Sequence, residues 1–353
     1  KCKCKDFIAE KDVLDTWATS SLTPQIATEL FKDHKIFKKL FPMSLRPQAH
    51  EIITFWLFNT VGKSHLHYSK TPWKNTMISG LVTLRGEKMS KSKGNIVKPQ
   101  DVLQKYGADA LRYWSANSKV GDDIEYQEQE VLAGAKFLNK IQNATNFVFT
   151  NLEHQSKVPE LYETDRLFLN ELNQTIAKST KLLDEYDYAQ AKLSADQFFW
   201  KTFADNYIEI VKYRLYNGTK EEKASAYYTL YQSLLAITKL MAPFIPFMTE
   251  EIYQKHFKKH EKTESIHITN WPAPIKIKQG KEDNKIWTRM LEVIYQVRQA
   301  KSEAKKSMKA EAIITMPKDD FKLLKDVLAD IKSVCTAKEI KEGNFEIQIL
   351  KDL

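Results

Sequence analysis

The chain has 353 residues, 42% of them hydrophobic, and a formal net charge of +9. That length and content suffice for two or three domains with buried cores and exclude a disordered chain. No run of about eighteen apolar residues is present and Lys1-Cys2-Lys3-Cys4 lacks the apolar core of a signal peptide, so no membrane partner is expected; three cysteines exclude a disulfide framework and suit a cytoplasmic location.

The excess charge is local. Residues 1–120 contain 20 Lys/Arg against 10 Asp/Glu, and residues 121–353 contain 34 against 35. A basic field in the first third attracts polyanions such as nucleotides or nucleic acid. In chain order, the first segment reads as α/β. Residues 48–67 carry Ile52, Ile53, Trp56, Leu57 and Val61 at the spacing of one helical face. Residues 74–83 read as a strand, which Gly80 interrupts as though backbone approaches a ligand there. Lys88-Met89-Ser90-Lys91-Ser92 follows directly, set between Gly86 and Gly94 and succeeded by Asn95. Two ammonium groups three residues apart in a glycine-bounded loop suit one polyphosphate, and a strand feeding such a loop is the usual ligand placement in doubly wound sheets. Residues 99–107 read as a short helix stopped by Gly107, and residues 108–116 as another.

From Tyr126 onward the pattern predicts long amphipathic helices at 129–152, 162–186, 189–216, 221–241 and 246–258, an antiparallel bundle. Proline and glycine around Trp271-Pro272-Ala273-Pro274 and Gly280 mark a linker. The last stretch predicts a small α/β unit: helix 285–305, strand 310–316, helix 319–332, strand 345–350. It has no sustained heptads, so no coiled-coil arm is expected.

Lys88-Met89-Ser90-Lys91-Ser92, continued by Lys93-Gly94-Asn95, resembles the second signature of class I aminoacyl-tRNA synthetases. Asp12-Val13-Leu14-Asp15-Thr16-Trp17-Ala18-Thr19-Ser20-Ser21-Leu22 resembles the segment by which valyl-tRNA synthetases re-enter their catalytic domain after an inserted editing domain. Isoleucyl and leucyl relatives differ there. Leu45-Arg46-Pro47-Gln48-Ala49-His50-Glu51-Ile52-Ile53, Met77-Ile78-Ser79-Gly80, Ala108-Asp109-Ala110-Leu111-Arg112 and Met241-Ala242-Pro243-Phe244-Ile245-Pro246-Phe247 are similar to archaeal-type members, and the likeness runs from residue 6 to about residue 275.

The resemblance implies the C-terminal half of a Rossmann-type catalytic domain (1–125), an antiparallel helical-bundle anticodon-binding domain (126–275) and a small C-terminal α/β unit (276–353). It implies ATP with Mg2+, valine and tRNA(Val) as substrates and partners, and a monomer. Lys91 would contact the leaving phosphates, Lys88 would assist, and Ser90 and Ser92 would complete the cradle. Gly80 and Met89 would lie against the adenine. Glu51 stands where the family usually has an aspartate that bonds the ribose, and Trp17 and Trp56 resemble walls of the valine pocket. The stretch Phe198-Phe199-Trp200-x-x-Phe203-Ala204-Asp205-Asn206-Tyr207 resembles the hallmark helix of the anticodon domain, with Trp200 and Phe203 expected in its core. Unstacked bases need aromatic platforms and amide donors, which makes Phe147, Asn143 and Asn146 the anticodon candidates.

The family's other signature, of the His-Ile-Gly-His type, does not occur in this sequence. The chain is therefore expected to be the C-terminal portion of a longer enzyme, inactive without its N-terminal half. An isoleucyl or leucyl enzyme and a non-catalytic tRNA-binding module are the alternatives. Cys2-x-Cys4 looks like half a zinc knuckle, but tetrahedral zinc takes four ligands. No metal is expected here, and zinc only in the full-length enzyme through Cys2 and Cys4.

Overall fold

A computed structural model describes residues 5–153 and 157–350, so Cys2 and Cys4 lie outside the described residues. The chain forms two compact units: residues 1–97 with 118–126, and residues 98–117 with 127–353. Residues 98–117, expected with the first segment, thus pack with the helical one, and residues 276–353 do not separate from it.

The first unit begins with short helices α1 (Thr16–Ser20), α2 (Thr23–Glu29) and α3 (Phe37–Leu40). The Asp15 carboxylate caps α1 by accepting from the Trp17 N–H at 2.7 Å. Strand β1 (Met43–Ala49) then leads through a 3-10 turn (His50–Ile52) and a π-helical stretch (Ile53–Phe58) into α4 (Asn59–Tyr68). Strand β2 (Trp73–Ser79) returns parallel to β1, from Met43 opposite Trp73 to Ala49 opposite Ser79. This is a β-helix-β crossover. The helix expected over 48–67 therefore starts two residues later. β1 escaped notice because Pro47, which has no N–H to give a ladder, argues against a strand in the middle of a sheet. After β2 the chain breaks at Gly80, and β3 (Val82–Leu84) pairs antiparallel with β4 (Glu87–Lys88) and parallel with β5 (Ile124–Glu125).

The second unit starts with α5 (Pro99–Tyr106) and α6 (Ala108–Ser115), separated at Gly107, whose φ of 81° favours glycine. The bundle follows: α7 (Glu128–Asn151), α8 (Glu163–Asp184), α9 (Tyr188–Gln197), α10 (Ile208–Asn217) and α11 (Lys220–Met241). Between α9 and α10, Phe198–Tyr207 is π-helical. A wider turn places every fourth residue near one face. Phe199, Phe203 and Tyr207 accordingly all enter the core with no exposed surface, and the Tyr207 ring stacks on Phe168 at 3.8 Å. Thr219 and Glu222 form a reciprocal capping box at the start of α11. α12 (Pro246–Ile252) continues through π-helical Tyr253–Phe257 into α13 (Lys258–Glu261). Asp109 on α6 accepts from the Met248 N–H at 2.7 Å, and the Arg112 guanidinium donates to the Pro243 carbonyl at 2.8 Å.

The C-terminal stretch comprises α14 (Asp283–Glu303), β6 (Ala312–Met316), α15 (Lys318–Leu323), α16 (Leu328–Val334), β7 (Ala337–Glu342) and β8 (Glu346–Ile349). β6 is central, parallel to β7 and antiparallel to β8. The single helix expected at 319–332 is two, and β7 was not foreseen: its Lys-Glu-Ile-Lys-Glu run is that of a charged edge strand. A buried ionic network binds this stretch to the bundle. The Arg214 guanidinium donates to both Asp165 oxygens (2.6 and 2.8 Å) and to Asp330 on α16 (3.0 Å), while the Tyr207 hydroxyl donates to Asp165 at 2.7 Å.

A second buried cluster joins α6 to α9. The Lys192 ammonium, on a residue only 3% exposed, lies 3.2 Å from the Tyr113 ring centroid and donates to Asn117, while the Tyr113 hydroxyl donates to Asp196 at 2.7 Å. Burial drives the Lys192 pKa down to about 8, with Asp196 and Glu130 pulling against it. The unfolded chain keeps that proton until about pH 10.5, so the unfolded state binds more protons above pH 8 and stability rises with pH across this window. The slope attributable to Lys192 approaches about 1.4 kcal/mol per pH unit. Urea titrations from pH 7 to 9, below the range in which the buried Cys335 thiol adds a slope of opposite sign, should show that rise in the wild type and not in Lys192→Met.

Candidate functional site

The lysine loop hangs from a very short strand. β4 holds Lys88 opposite Thr83, and the chain turns sharply on either side of it; Arg85 and Gly86 before it and Gly94 after it have φ values of 55°, 75° and 65°. Asn95 fastens the turn. Its side-chain oxygen accepts from the Ser90 N–H at 2.8 Å and its amide donates to the Lys88 carbonyl at 3.2 Å. The Ser90 and Ser92 hydroxyls meet at 2.7 Å, and the Lys93 and Gly94 N–H groups reach back to Ser90 and Lys91 carbonyls. Asn95 is a positioning residue whose role the sequence reading did not assign. Its place after Lys-Gly in a turn was the available signal, because asparagine side chains bond backbone groups there.

The three lysines are not equivalent. Lys88 is ion-paired with Glu51, which the 3-10 turn after β1 presents. Lys93 is paired with Glu87 at 3.1 Å. Lys91 is exposed and makes no ion pair among the described residues. The hydrogen bond from Lys88, together with its charge, holds the Glu51 carboxyl below its ordinary range. Glu51 and Lys88 are thus brought together, and Glu51 faces an ammonium. Within the loop, Met89 and Ser90 are half-buried, and Ser92 is exposed.

Gly80 proves to be a place of close backbone approach, but the approaching backbone belongs to the chain itself. A Cβ at Gly80 would lie 2.2 Å from the Asp122 carbonyl oxygen. Next to it the Asp123 carboxylate accepts from the Leu81 N–H at 2.7 Å, and Ile124 N–H donates to the Leu81 carbonyl at 2.9 Å. Gly80→Ala should destabilise by about 1–3 kcal/mol, because backbone on both sides must shift. A thermal melt unchanged from wild type would show that the segment 121–124 yields freely.

The two tryptophans differ in setting. Trp17 is half-buried and stacks on Phe55 at 6.3 Å. Trp56 is 4% exposed, stacked face to face on Trp73 at 5.5 Å with the Arg46 guanidinium 4.0 Å over its ring. Its indole N–H donates to the Ser20 carbonyl at 3.1 Å, which docks α1 on the π-helical stretch. Trp56 is a packing anchor here, and Trp17 is the more accessible of the pair.

In the helical unit, Asn143 and Asn146 are exposed on α7 and Phe147 is half-buried, with the Lys212 ammonium 5.5 Å from its ring centroid. Gln142 donates to the Asn146 side chain at 3.3 Å. Spacings of three and four along a helix put these residues on one side. Phe203 is fully buried, and Trp200 is half-buried beneath Lys140. No group of three or more His, Cys, Asp or Glu able to hold a metal occurs among the described residues.

Comparison with known proteins places both units. Residues 1–127 match the family model described as tRNA synthetases class I (I, L, M and V), and residues 165–316 match the anticodon-binding domain of tRNA ligase. The valine–tRNA ligase of Rickettsia prowazekii (strain Madrid E) is 41% identical over 94% of this chain and 42% of its own length. That of Wolbachia pipientis wMel is 37% identical over 98% of this chain and 41% of its own length. The chain thus spans less than half the length of these relatives. Among solved structures, LeuRS of Agrobacterium radiobacter K84 in a ternary LeuRS-tRNA-LeuAMS complex superposes with a TM-score of 0.58 at 18% identity, covering 96% of this chain and 43% of that one.

Proposed function

Because the chain belongs to the class I tRNA synthetases and its relatives are valine–tRNA ligases, we propose that it is the C-terminal portion of an enzyme that joins valine to tRNA(Val) at the expense of ATP. The observation that carries this reading is the ammonium of Lys91, exposed and without an ion pair among the described residues, on a loop fastened by Asn95 beside the Lys88–Glu51 pair.

Activation of an amino acid requires its carboxylate to attack the α-phosphate of ATP and expel pyrophosphate. Charge accumulates on the phosphates as the bond breaks, so cations fixed in place lower the barrier. Lys91 serves the leaving phosphates, Lys88 is steered by Glu51, and Ser90 and Ser92 add hydroxyl donors. Mg2+ would enter with ATP and neutralise phosphate charge. Gly80 and Met89 border the adenine, and Trp17, the more accessible of the two tryptophans, shapes the valine pocket, while Trp56 supports it from within the packed core of the first unit. The helical unit reads the anticodon through Phe147, Asn143 and Asn146. Functionally, residues 1–125 belong to catalysis, 126–275 to tRNA recognition and 276–353 to a unit locked onto the bundle.

An N-terminal half of the same enzyme completes the active site. In support, the first unit carries large exposed apolar side chains, among them Phe55 (59%), Phe58 (72%), Leu66 (83%) and Leu30 (81%). Soluble surfaces seldom leave so many uncovered. Adding the missing half should confer valine-dependent ATP–pyrophosphate exchange on a chain that lacks it alone. Exchange dependent on isoleucine or leucine instead would overturn the assignment of the amino acid, and none with any amino acid would overturn the enzymatic reading.

A further inference from the structure

Charges nearly balance beyond residue 120, yet one corner of the bundle is unbalanced. The C-terminal end of α7, the π-helical turn Tyr253–Phe257 and α13 border an open surface cavity of about 490 Å³. Lys255, His256, Lys259 and His260 line one side, and Asn146 and Thr150 line the other. Lys255 and Lys259 are exposed, and neither makes an ion pair among the described residues. Positions four apart on a helix bring side-chain roots within about 6 Å, so both ammonium groups face the same or adjoining anionic groups.

Two nearby acids are engaged elsewhere. Glu261 accepts from the Tyr231 hydroxyl at 2.9 Å. Glu250 accepts from Gln254 at 2.6 Å and from Ser265 and the Ile266 N–H at 2.9 Å. No carboxylate is among the described residues lining the cavity. Its wall is aromatic: Phe149 stacks on the His256 ring at 4.2 Å and 17°. Burial, followed by the charge of Lys255, lowers the His256 pKa and keeps that ring neutral at physiological pH. Concavity, cations and a flat aromatic surface together match a nucleotide in a single strand, whose base is free and whose phosphate is close by. A continuous duplex offers neither a free base nor a shape that enters such a cavity.

We propose that this corner holds the phosphodiester backbone of single-stranded RNA, with Lys255 and Lys259 on phosphate oxygens and Asn146 directed to the adjoining nucleotide. The proposal rests on the reading of Asn143, Asn146 and Phe147 as the anticodon surface, since Asn146 belongs to both. It extends that surface across α7 to a second element, α13.

The test is fluorescence anisotropy of the 353-residue chain with the anticodon stem–loop of tRNA(Val) and with a continuous RNA duplex, at several salt concentrations. K255A/K259A should weaken stem–loop binding about tenfold at low salt and reduce the slope of log Kd against log[salt] by about 1.4 units, the value for two cations on single-stranded phosphates. Duplex binding should change little. K255Q/K259Q should behave alike, and both variants should melt with the wild type because these side chains are exposed. Unchanged affinity and slope would overturn the proposal, and equal losses on stem–loop and duplex would overturn the single-strand assignment. If the wild type bound a stem–loop with a scrambled anticodon equally well, the anticodon reading itself would fall, whatever the lysine variants did.

Discussion

Lys91→Ala, in an enzyme assembled from both halves, should lower valine-dependent ATP–pyrophosphate exchange by about 10²–10³-fold while leaving tRNA affinity unchanged. That magnitude is typical of removing one fixed donor from the place where charge develops. Lys91 is singled out because its neighbours are occupied: Lys88 by Glu51 and Lys93 by Glu87. The loss should fall mainly on kcat, since a group that acts on departing phosphates stabilises the transition state more than bound ATP. Lys88→Ala should also slow exchange, but for two reasons at once. It removes a cation and releases the Glu51 carboxylate toward the phosphates, so Glu51→Gln should restore part of the activity in the Lys88→Ala background. Exchange by Lys91→Ala within about twofold of wild type would remove Lys91 from the mechanism.

The largest stability effect is expected at Arg214. Replacing it with methionine strands two buried carboxylates, Asp165 with no exposed surface and Asp330 at 6%. Breaking a buried ion pair by removing one partner costs about 3–5 kcal/mol. For a unit of this size that corresponds to a fall in Tm on the order of 10 °C. Arg214→Lys should rescue little, because a single ammonium cannot reproduce the planar fork that grips Asp165 twice and Asp330 once. Lys140→Ala provides the contrast, its exposed pair with Asp205 contributing about 1 kcal/mol or less. If Arg214→Met melted within about 2 °C of wild type, the network would be ornamental.

How far the sequence was legible depended on the kind of pattern. Long amphipathic helices such as α7, α8 and α11 lie within two residues of their expected bounds, because their apolar periods persist over several turns. The break in 189–216 was not legible. Aromatics at 199, 203 and 207 fit the period of an ordinary helix nearly as well as that of the π-helical stretch they occupy. β1, β5 and β7 were missed for physical reasons too: one carries Pro47, one is two residues long, and one is a charged edge. At the candidate site, residue types identified Lys88, Lys91 and Glu51 separately. Which lysine is paired depended on a contact between residues 37 apart, which no local pattern encodes. Gly80 was noticed for its lack of a side chain, but its crowding partner Asp122 lies 42 positions away and is known only from the fold.

The smallness of β4 has a consequence for how the protein breathes. Two residues pair this strand to β3, and beyond it the turn is held chiefly by one asparagine side chain. Opening it breaks a handful of bonds and exposes little apolar surface, so amide protons between Lys88 and Asn95 should exchange with deuterium through local excursions, without any wider unfolding. Protons between Phe199 and Val211, buried in the aromatic core, should exchange only when the whole unit comes apart. A nucleotide seated on the loop would therefore register first as slowed exchange at the Ser90 amide, before any change in the melting curve.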